Sequence, residues 1–321
     1  MKNQFYEQPK LPANQIIRDI DPYRTAGADI AADNKRVVIG GRRQHREFLA
    51  RNGYVEVGNE APVSGARPAL SREERAAEPG EWAVTGAFAF IDADPAKLEG
   101  KVPLVLIAPA GSPMYLGMRV GDGDTPEQLP YAQASCVVVA YDVSGAQEGD
   151  DPEPASLAAF MAAKGGVEDG KRALDYALKS IPEIDPSRVI AVGHSSAATI
   201  AIQLASSDAR IKACVAYAPL VDVEAWLAPL MGRLENAAPG FEAFIQESSP
   251  AKHMDRPQQQ LFLFHAADDD VVPAEPIHRL AKSAPKATLV EVQSGGHYNS
   301  MIEHGIPSAI HWLRNQNMLP R

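Results

Sequence analysis

Cysteine is scarce in this sequence of 321 residues, which contains only Cys136 and Cys214. Each lies in an apolar, strand-like run ("ASCVVVAYD" and "IKACVAYAP"), where a free thiol packs as a small hydrophobic side chain. Buried thiols are therefore favoured over a disulfide. No Cys/His spacing resembles a zinc site, and the sequence indicates neither a metal nor an organic cofactor.

Long apolar runs and an excess of positive charge are also missing. No stretch approaches membrane-spanning length, so we expect no membrane partner. The formal net charge of −10 argues against nucleic acid, because phosphate binding needs a basic surface. The start "MKNQFYEQPKLPANQ" lacks the apolar segment of a signal peptide. We expect a cytoplasmic protein, or a secreted or periplasmic one if a leader was removed.

Apolar runs alternate with helical patterns from Trp82 onward. Helices are predicted at "VEDGKRALDYALKSIP", "SAATIAIQLASSD" and "IPSAIHWLRNQ". Strands are predicted at "WAVTGAFAFIDA", "VPLVLIAPAG", "SCVVVAYDVSG", "SRVIAVG", "IKACVAYAPL", "QLFLFHA" and "ATLVEVQ". Continuous apolar strands of this kind indicate an α/β fold whose mostly parallel sheet has helices on both faces. Functional residues then lie in the loops at the carboxyl ends of the strands.

Composition divides the chain into two parts. Residues 1–80 are polar and irregular, which predicts an N-terminal extension of short helices or an arm that packs on the core. Residues 81–321 form the core domain. Within it, residues 218–258 have no strand pattern and are predicted to form a short lid.

The segment "AVGHSSAATI" (191–200) predicts a strand, a sharp turn and a helix. At such a turn the residues two positions either side of a reactive serine approach each other and must be small. Gly193 and Ala197 satisfy this for Ser195, whereas His194 is too large to flank Ser196. Ser195 is therefore the candidate nucleophile, and the amide of Ser196 at the helix start can stabilise an oxyanion. The alternative is a serine that merely caps the helix.

A reactive serine needs a base and a carboxylate that orients the base. His297 is the candidate base, because "VEVQSGGHYNSM" puts it in a glycine loop just past the last strand. His194 is adjacent to the serine but is turned away by the geometry of the bend, and His265 ends an apolar strand where a structural role is favoured. The loop in "LFLFHAADDDVVP" supplies three candidate carboxylates, Asp268, Asp269 and Asp270.

The order Ser…Asp…His resembles that of the α/β-hydrolases, and more narrowly the esterase-like dienelactone hydrolase and prolyl oligopeptidase-type branch. The resemblance covers residues 82–315 and rests on the bend, on "HAADDDVVP" and on "GGH". Aligned with the pattern H-G-x-x-D-x-x-V-P of that branch, the acid of the triad falls on Asp269, with Asp268 as the runner-up. The resemblance implies catalysis without a cofactor or metal.

The sequence departs from this family at two places. The bend has Ala197 where glycine is usual, which is sterically acceptable. The loop "IAPAGSPMYLG" stands where many relatives have His-Gly. The second oxyanion amide is then that of Ala110, or of Gly111 if the register differs by one residue.

Four side chains are candidates for binding the substrate: Met114 and Tyr115 beside the oxyanion loop, Tyr298 next to the base, and Trp226 in the lid. No basic residue is placed to bind a carboxylate, so an uncharged small-molecule ester is the expected partner. A homo-oligomer stays possible.

These features favour a serine hydrolase that cleaves carboxylic esters through an acyl-enzyme. One alternative is an amidase or peptidase of the prolyl oligopeptidase type, although 80 residues are too few for the β-propeller that such peptidases usually carry. The other alternative is a hydrolase-fold binding protein without turnover.

Overall fold

The computed structural model describes residues 101–147, 149, 151–254, 256 and 259–320, together with four short upstream strands. These strands are β1 (Asn14–Arg18), β2 (Arg36–Gly40), β3 (Tyr54–Val57) and β4 (Phe88–Asp92). Arg42, Arg43 and Arg46 form a basic cluster in the sequence, and all three lie outside the described residues.

Six parallel strands form the centre of the sheet. They are β5 (Val102–Ile107), β6 (Val137–Ala140), β7 (Ile184–His194), β8 (Ile211–Tyr217), β9 (Gln260–Ala266) and β10 (Ala287–Val292). The strand order is β10-β9-β8-β7-β5-β6-β4-β3, with β4 antiparallel to β6 and β3 antiparallel to β4. The predicted mostly parallel sheet is confirmed. Its carboxyl edge therefore brings together the loops after β5, β7, β9 and β10.

The described part of the chain contains nine α-helices. They are α1 (Thr125–Gln133), α2 (Pro154–Ala162), α3 (Val167–Ser180), α4 (Ser196–Ser207), α5 (Val223–Leu227), α6 (Met231–Ala237), α7 (Phe241–Ser248), α8 (Ala274–Ser283) and α9 (Ile306–Asn315). The sequence pattern predicts α3, α4 and α9. It does not single out α1 and α2, each of which begins with proline in its first turn and has no strong apolar face.

Two apolar cores lie on opposite faces of the sheet, as the continuous apolar strands predict. One contains Leu104 and Leu106 with α3 and α4, and the other contains Val105 and Ile107 with α9. Successive residues of β5 thus point to opposite faces and are buried on both. Cys136 and Cys214 are buried free thiols, which confirms that prediction.

The region 1–80 contains three of the short strands, where the composition predicts short helices or an arm. β1 pairs with β2 in a sheet of two strands, and β3 forms the edge of the main sheet. β-Branched runs such as "RVVIG" favour strands, and this local preference outweighs the polar average of the region. The division at residue 80 stays a prediction. Within the described residues no helix is both long and apolar enough to cross a lipid bilayer.

Candidate active site

Ser195 occupies the sharp bend between β7 and α4. Its backbone has φ +56° and ψ −120°, a conformation that costs a non-glycine residue about 1–3 kcal/mol. The Ser195 amide donates to the carbonyl of Tyr217 at the end of β8 (2.8 Å). This bond fixes the strained residue at the carboxyl edge of the sheet, and the bend is the geometry that the sequence predicts there.

The residues flanking the bend meet closely. A Cβ atom on Gly193 would overlap the backbone of Ala197 and lie 2.6 Å from the nitrogen of Ala198. Ala197 is itself fully buried. Position 193 therefore tolerates only glycine, for the steric reason that selects Ser195 from the sequence.

His297 and Asp269 come from neighbouring loops, after β10 and β9. The Nδ1 atom of His297 lies 2.8 Å from Oδ2 of Asp269. The other oxygen of Asp269, Oδ1, accepts from the amides of Val271 (2.8 Å) and Val272 (3.0 Å). A carboxylate held in this way accepts a hydrogen bond from Nδ1–H, so Nδ1 keeps its proton and Nε2 of His297 is the basic nitrogen.

Asp268 and Asp269 have different partners although they are adjacent. The carboxylate of Asp268 accepts from the amides of Gly295 (3.1 Å) and Gly296 (2.8 Å), the two glycines that precede His297. It therefore holds the loop that carries the histidine, whereas Asp269 holds the imidazole ring. Of the two alternatives left by the sequence, only Asp269 hydrogen-bonds to His297 in the structure.

The ionisation of the pair follows from burial and charge. Burial lowers the pKa of His297 below its ordinary value, and it outweighs the opposite effect of Asp269. The neighbouring histidines His194 and His265 lower this pKa further. Burial acts to raise the pKa of Asp269, but its hydrogen bonds to His297, Val272 and Val271 outweigh burial and lower the pKa. At neutral pH the arrangement is a neutral imidazole beside an ionised carboxylate.

His297 also contacts the residue that precedes Ser195. The rings of His194 and His297 are 4.5 Å apart between centroids, and Nε2 of His194 lies 3.0 Å from the backbone oxygen of His297. This contact brings the loop of the histidine against the bend of the serine. Ser195, Asp269 and His297 thus lie in the loops that follow β7, β9 and β10, at the same carboxyl edge of the sheet.

The loop after β5 is tied to the same bend. The amide of Ser112 donates to Oγ of Ser196 (3.0 Å), and the hydroxyl of Ser112 donates to the carbonyl of Leu116 (2.6 Å). Ala110 is buried in this loop, and Gly111 is exposed with φ +95°. The amide of Ser196 is in the first turn of α4, where amides have no partner within the helix. The loop and the helix start are therefore held side by side.

A family model described as the alpha/beta hydrolase family matches residues 104–256. This segment holds the bend, and the sheet around it has the order and direction given above. The chain therefore has an α/β-hydrolase fold. A second model, for a family of unknown function, matches residues 73–108.

Several solved structures have a fold similar to that of this chain. The acylaminoacyl peptidase of Pyrococcus horikoshii has a TM-score of 0.57 at 15% identity, with 71% of this chain and 39% of that chain covered. Est1E from Butyrivibrio proteoclasticus has a TM-score of 0.52 at 16% identity (72% and 93% covered). The acetyl xylan esterase of Paenibacillus sp. R4 has a TM-score of 0.52 at 17% identity (70% and 78% covered).

This α/β-hydrolase thus spans well under half of the peptidase but most of each esterase. At these identities the likeness concerns the fold alone. No match to a curated protein was found. The predicted resemblance to esterase-like α/β-hydrolases is confirmed at the level of the fold.

The four candidate substrate residues have different surroundings. Met114 and Tyr115 are buried, and Met114 has the positive φ of +68° within the turn that the Ser112 hydroxyl organises. Tyr298 is half-buried with its ring 5.7 Å from that of His194. Trp226 is 39% exposed on α5. Tyr298 therefore lies against His194, the residue before the bend. The role of all four residues in binding a substrate stays a prediction.

The predicted lid segment, residues 218–258, folds as α5, α6 and α7. A cavity of about 530 Å³ opens between this segment, α3 and α4, and includes Phe244, Gln203 and His253 in its lining. None of the predicted site residues lines it. It lies two to three turns along α4 from Ser195, so it is separate from the bend.

Three residues that contact the bend or the candidate base were not predicted from the sequence to have that role. Ser112 stands in "PAGSPM", Glu127 in "TPEQLP", and His194 next to the serine. Ser112 and Glu127 carry no pattern of spacing, and only the folded sheet brings them to the bend. His194 has a signal, since it directly precedes Ser195, but adjacency alone does not reveal its contact with His297.

Proposed function

We propose that this α/β-hydrolase cleaves small, uncharged carboxylic esters with Ser195 as nucleophile, His297 as base and Asp269 as the orienting acid. The observation that carries the proposal is the 2.8 Å bond between His297 and Asp269, at the sheet edge where Ser195 is held at φ +56°. Strained backbone of this kind persists only where the surroundings enforce it and clusters at functional sites.

Acylation follows from these positions. Nε2 of His297 takes the proton of the Ser195 hydroxyl as Oγ forms a bond to the ester carbonyl carbon. The amides of Ser196 and Ala110 donate to the oxyanion of the tetrahedral intermediate. The imidazolium, opposite the Asp269 carboxylate, then gives its proton to the alkoxide of the leaving alcohol, and the acyl group stays on Ser195.

Deacylation repeats the chemistry with water. His297 removes a proton from the water molecule as its oxygen attacks the acyl carbon. Collapse of the second intermediate breaks the bond to Oγ, which regains the proton from His297 and releases the carboxylic acid. The cycle uses the protein's own groups and needs no cofactor or metal.

Esters are favoured over amides for two reasons. The similar esterases are covered over 78% and 93% of their length, whereas the peptidase is covered over 39%. An alkoxide also leaves with less help from the general acid than an amine does. Met114, Tyr115, Tyr298 and Trp226 are the side chains proposed to contact the acyl and alcohol groups, and residues 81–321 are proposed as the catalytic unit.

The proposal is tested with p-nitrophenyl esters of increasing acyl length and with a fluorophosphonate that labels reactive serines. We expect turnover of the esters and stoichiometric labelling, both abolished by Ser195→Ala but not by Ser187→Ala, a change of an exposed serine. Labelling and turnover that persist in Ser195→Ala would contradict the assignment.

The two alternatives predict different results. An amidase or peptidase would cleave a matched p-nitroanilide at a rate comparable with the ester. A binding protein without turnover would neither cleave the esters nor react with the fluorophosphonate. The same set of substrates therefore separates all three functions.

A further inference from the structure

His194 is buried between two groups that can share protons with it. Only 3% of its surface is exposed. Its Nε2 atom lies 3.0 Å from the backbone oxygen of His297, and its Nδ1 atom lies 3.6 Å from Oε1 of Glu127 on α1. Glu127 is buried as well. The residue thus bridges α1 and the loop that carries the base.

The first contact fixes which nitrogen of His194 carries a proton. A carbonyl oxygen only accepts, so Nε2 must donate to His297. Nδ1 would then be a bare acceptor facing the carboxylate of Glu127, which also only accepts when ionised. Nδ1 has no hydrogen-bond partner among the described residues. Two buried acceptors facing each other are unfavourable, and a proton on Nδ1 of His194 removes the conflict.

Other titratable groups around His194 do not supply this proton. Tyr217 is its neighbour on β8, and its hydroxyl bonds to that of Tyr131 on α1. Burial raises the pKa of both phenols far above the ordinary value, so neither ionises at neutral pH. Tyr298 meets His194 edge to face. The charge beside His194 is therefore that of Glu127.

We propose that His194 carries a proton on Nδ1, which faces the carboxylate of Glu127 at 3.6 Å, and that His194 is a positioning residue for the base His297. Through Nε2 it anchors the backbone of the base to β7, the strand that ends at His194, just before Ser195. Asp269 orients the imidazole ring of the base, and His194 fixes the backbone from which that ring projects. The inference rests on the proposed function for its effect on turnover.

The proton on Nδ1 of His194 has a second effect on the base, His297. A positive charge on His194, 4.5 Å from the ring of His297, disfavours a proton on His297 and keeps the base neutral to lower pH. Loss of the charge from His194 therefore moves the protonation of His297 to higher pH. A residue that merely fills space would leave the protonation of His297 unchanged.

Two substitutions separate the hydrogen bond from the charge. His194→Gln keeps a donor near the position of Nε2 but has no charge, and His194→Leu has neither. We expect kcat of His194→Leu to fall about 10- to 100-fold at little change in KM, as for loss of a group that positions a catalytic residue. His194→Gln restores kcat to within a few-fold. The acid limb of its kcat/KM profile is expected at higher pH than in the parent, because the charge of His194 no longer lowers the pKa of His297. His304→Gln, a change of an exposed histidine, is the control.

Imidazole resonances followed by NMR across pH test the charge without any turnover. In His194→Gln the titration of His297 is expected to move to higher pH, whether or not the protein hydrolyses esters. An unchanged His297 titration, or equal kcat values for the Gln and Leu variants, overturns the proposal. Failure of the proposed function would instead be seen as absence of ester turnover, or as activity that persists in Ser195→Ala, with the NMR result unaffected.

Discussion

His297 is held from two sides, and the two sides are built differently. On one side Asp269 accepts from the ring of His297 and from two backbone amides. On the other side Nε2 of His194 hydrogen-bonds to the backbone oxygen of His297, whereas Nδ1 of His194 lies 3.6 Å from Oε1 of Glu127, too far for a hydrogen bond. The first side acts on the reacting ring through a charge-assisted bond, and the second acts through the backbone. Substitutions on the first side should therefore cost more activity.

The largest effect is expected from Asp269→Asn. An asparagine has the shape of the aspartate but can donate to Nδ1, which favours the wrong tautomer of His297, so kcat should fall by about 10⁴-fold. Steady-state kinetics on an activated ester measure this loss. Asp270→Asn, next in the chain and exposed, is the matched control and should keep the parent rate. Equal rates for the two variants would refute the role of Asp269.

Asp268→Asn should have a smaller effect, because Asp268 holds the backbone of Gly295 and Gly296 rather than the ring. We expect kcat to fall about 10-fold, as for the loss of a group that positions a catalytic residue. Crystallography or NMR of the variant should find the loop before His297 displaced. A loss as large as that of Asp269→Asn would mean that Asp268 does more than hold the backbone of this loop.

The pH dependence of the parent compares the two sides directly. Burial lowers the pKa of His297, so the base stays neutral and active to a lower pH than a free histidine allows. The rate constant kcat/KM should rise with pH and reach half of its maximum below pH 6.5, the ordinary pKa of histidine. A midpoint above that value would show that Asp269, which favours the charged ring, dominates over burial and His194.

The smallest effect is expected from Glu127→Gln. The amide nitrogen of the new glutamine can donate to Nδ1 of His194. The orientation of His194 is then kept, while its positive charge is lost. We expect kcat within about 3-fold of the parent, because one uncharged hydrogen bond replaces the ion pair. The acid limb should move to higher pH, as in His194→Gln. Glu127→Leu, without a donor, should lose more activity, and identical Gln and Leu variants would remove Glu127 from the scheme.

The sequence predicted much of the fold because the central strands are continuously apolar. β5, β6 and β8 appear as short hydrophobic runs, and α3 has one apolar face. α1 contains Pro130 and buries polar residues such as Glu127, so its periodicity is hidden. β1, β2 and β3 are only four or five residues long, and their pairing depends on partners distant in the sequence.

The candidate triad was predictable because each member stands at the end of an apolar strand. The choice between Asp268 and Asp269 was not, since adjacent residues at a strand end point in different directions once the loop folds. In the structure Asp269 hydrogen-bonds to the ring of His297, and Asp268 accepts from the amides of Gly295 and Gly296. Ser112 is linked to the bend by its hydrogen bond to Ser196, a residue 84 positions away in the chain, and no local pattern indicates that contact.

The sequence by itself determined a parallel α/β sheet, the bend at Ser195 and the order Ser…Asp…His. These depend on local periodicity and on the small side chains of Gly193 and Ala197, which are visible in a short window. Only the tertiary structure decided the partners of His297 and brought Glu127 behind His194. Hydrogen bonds and charge pairs need distances of a few ångströms between residues far apart in the chain, and the folded backbone alone sets those distances.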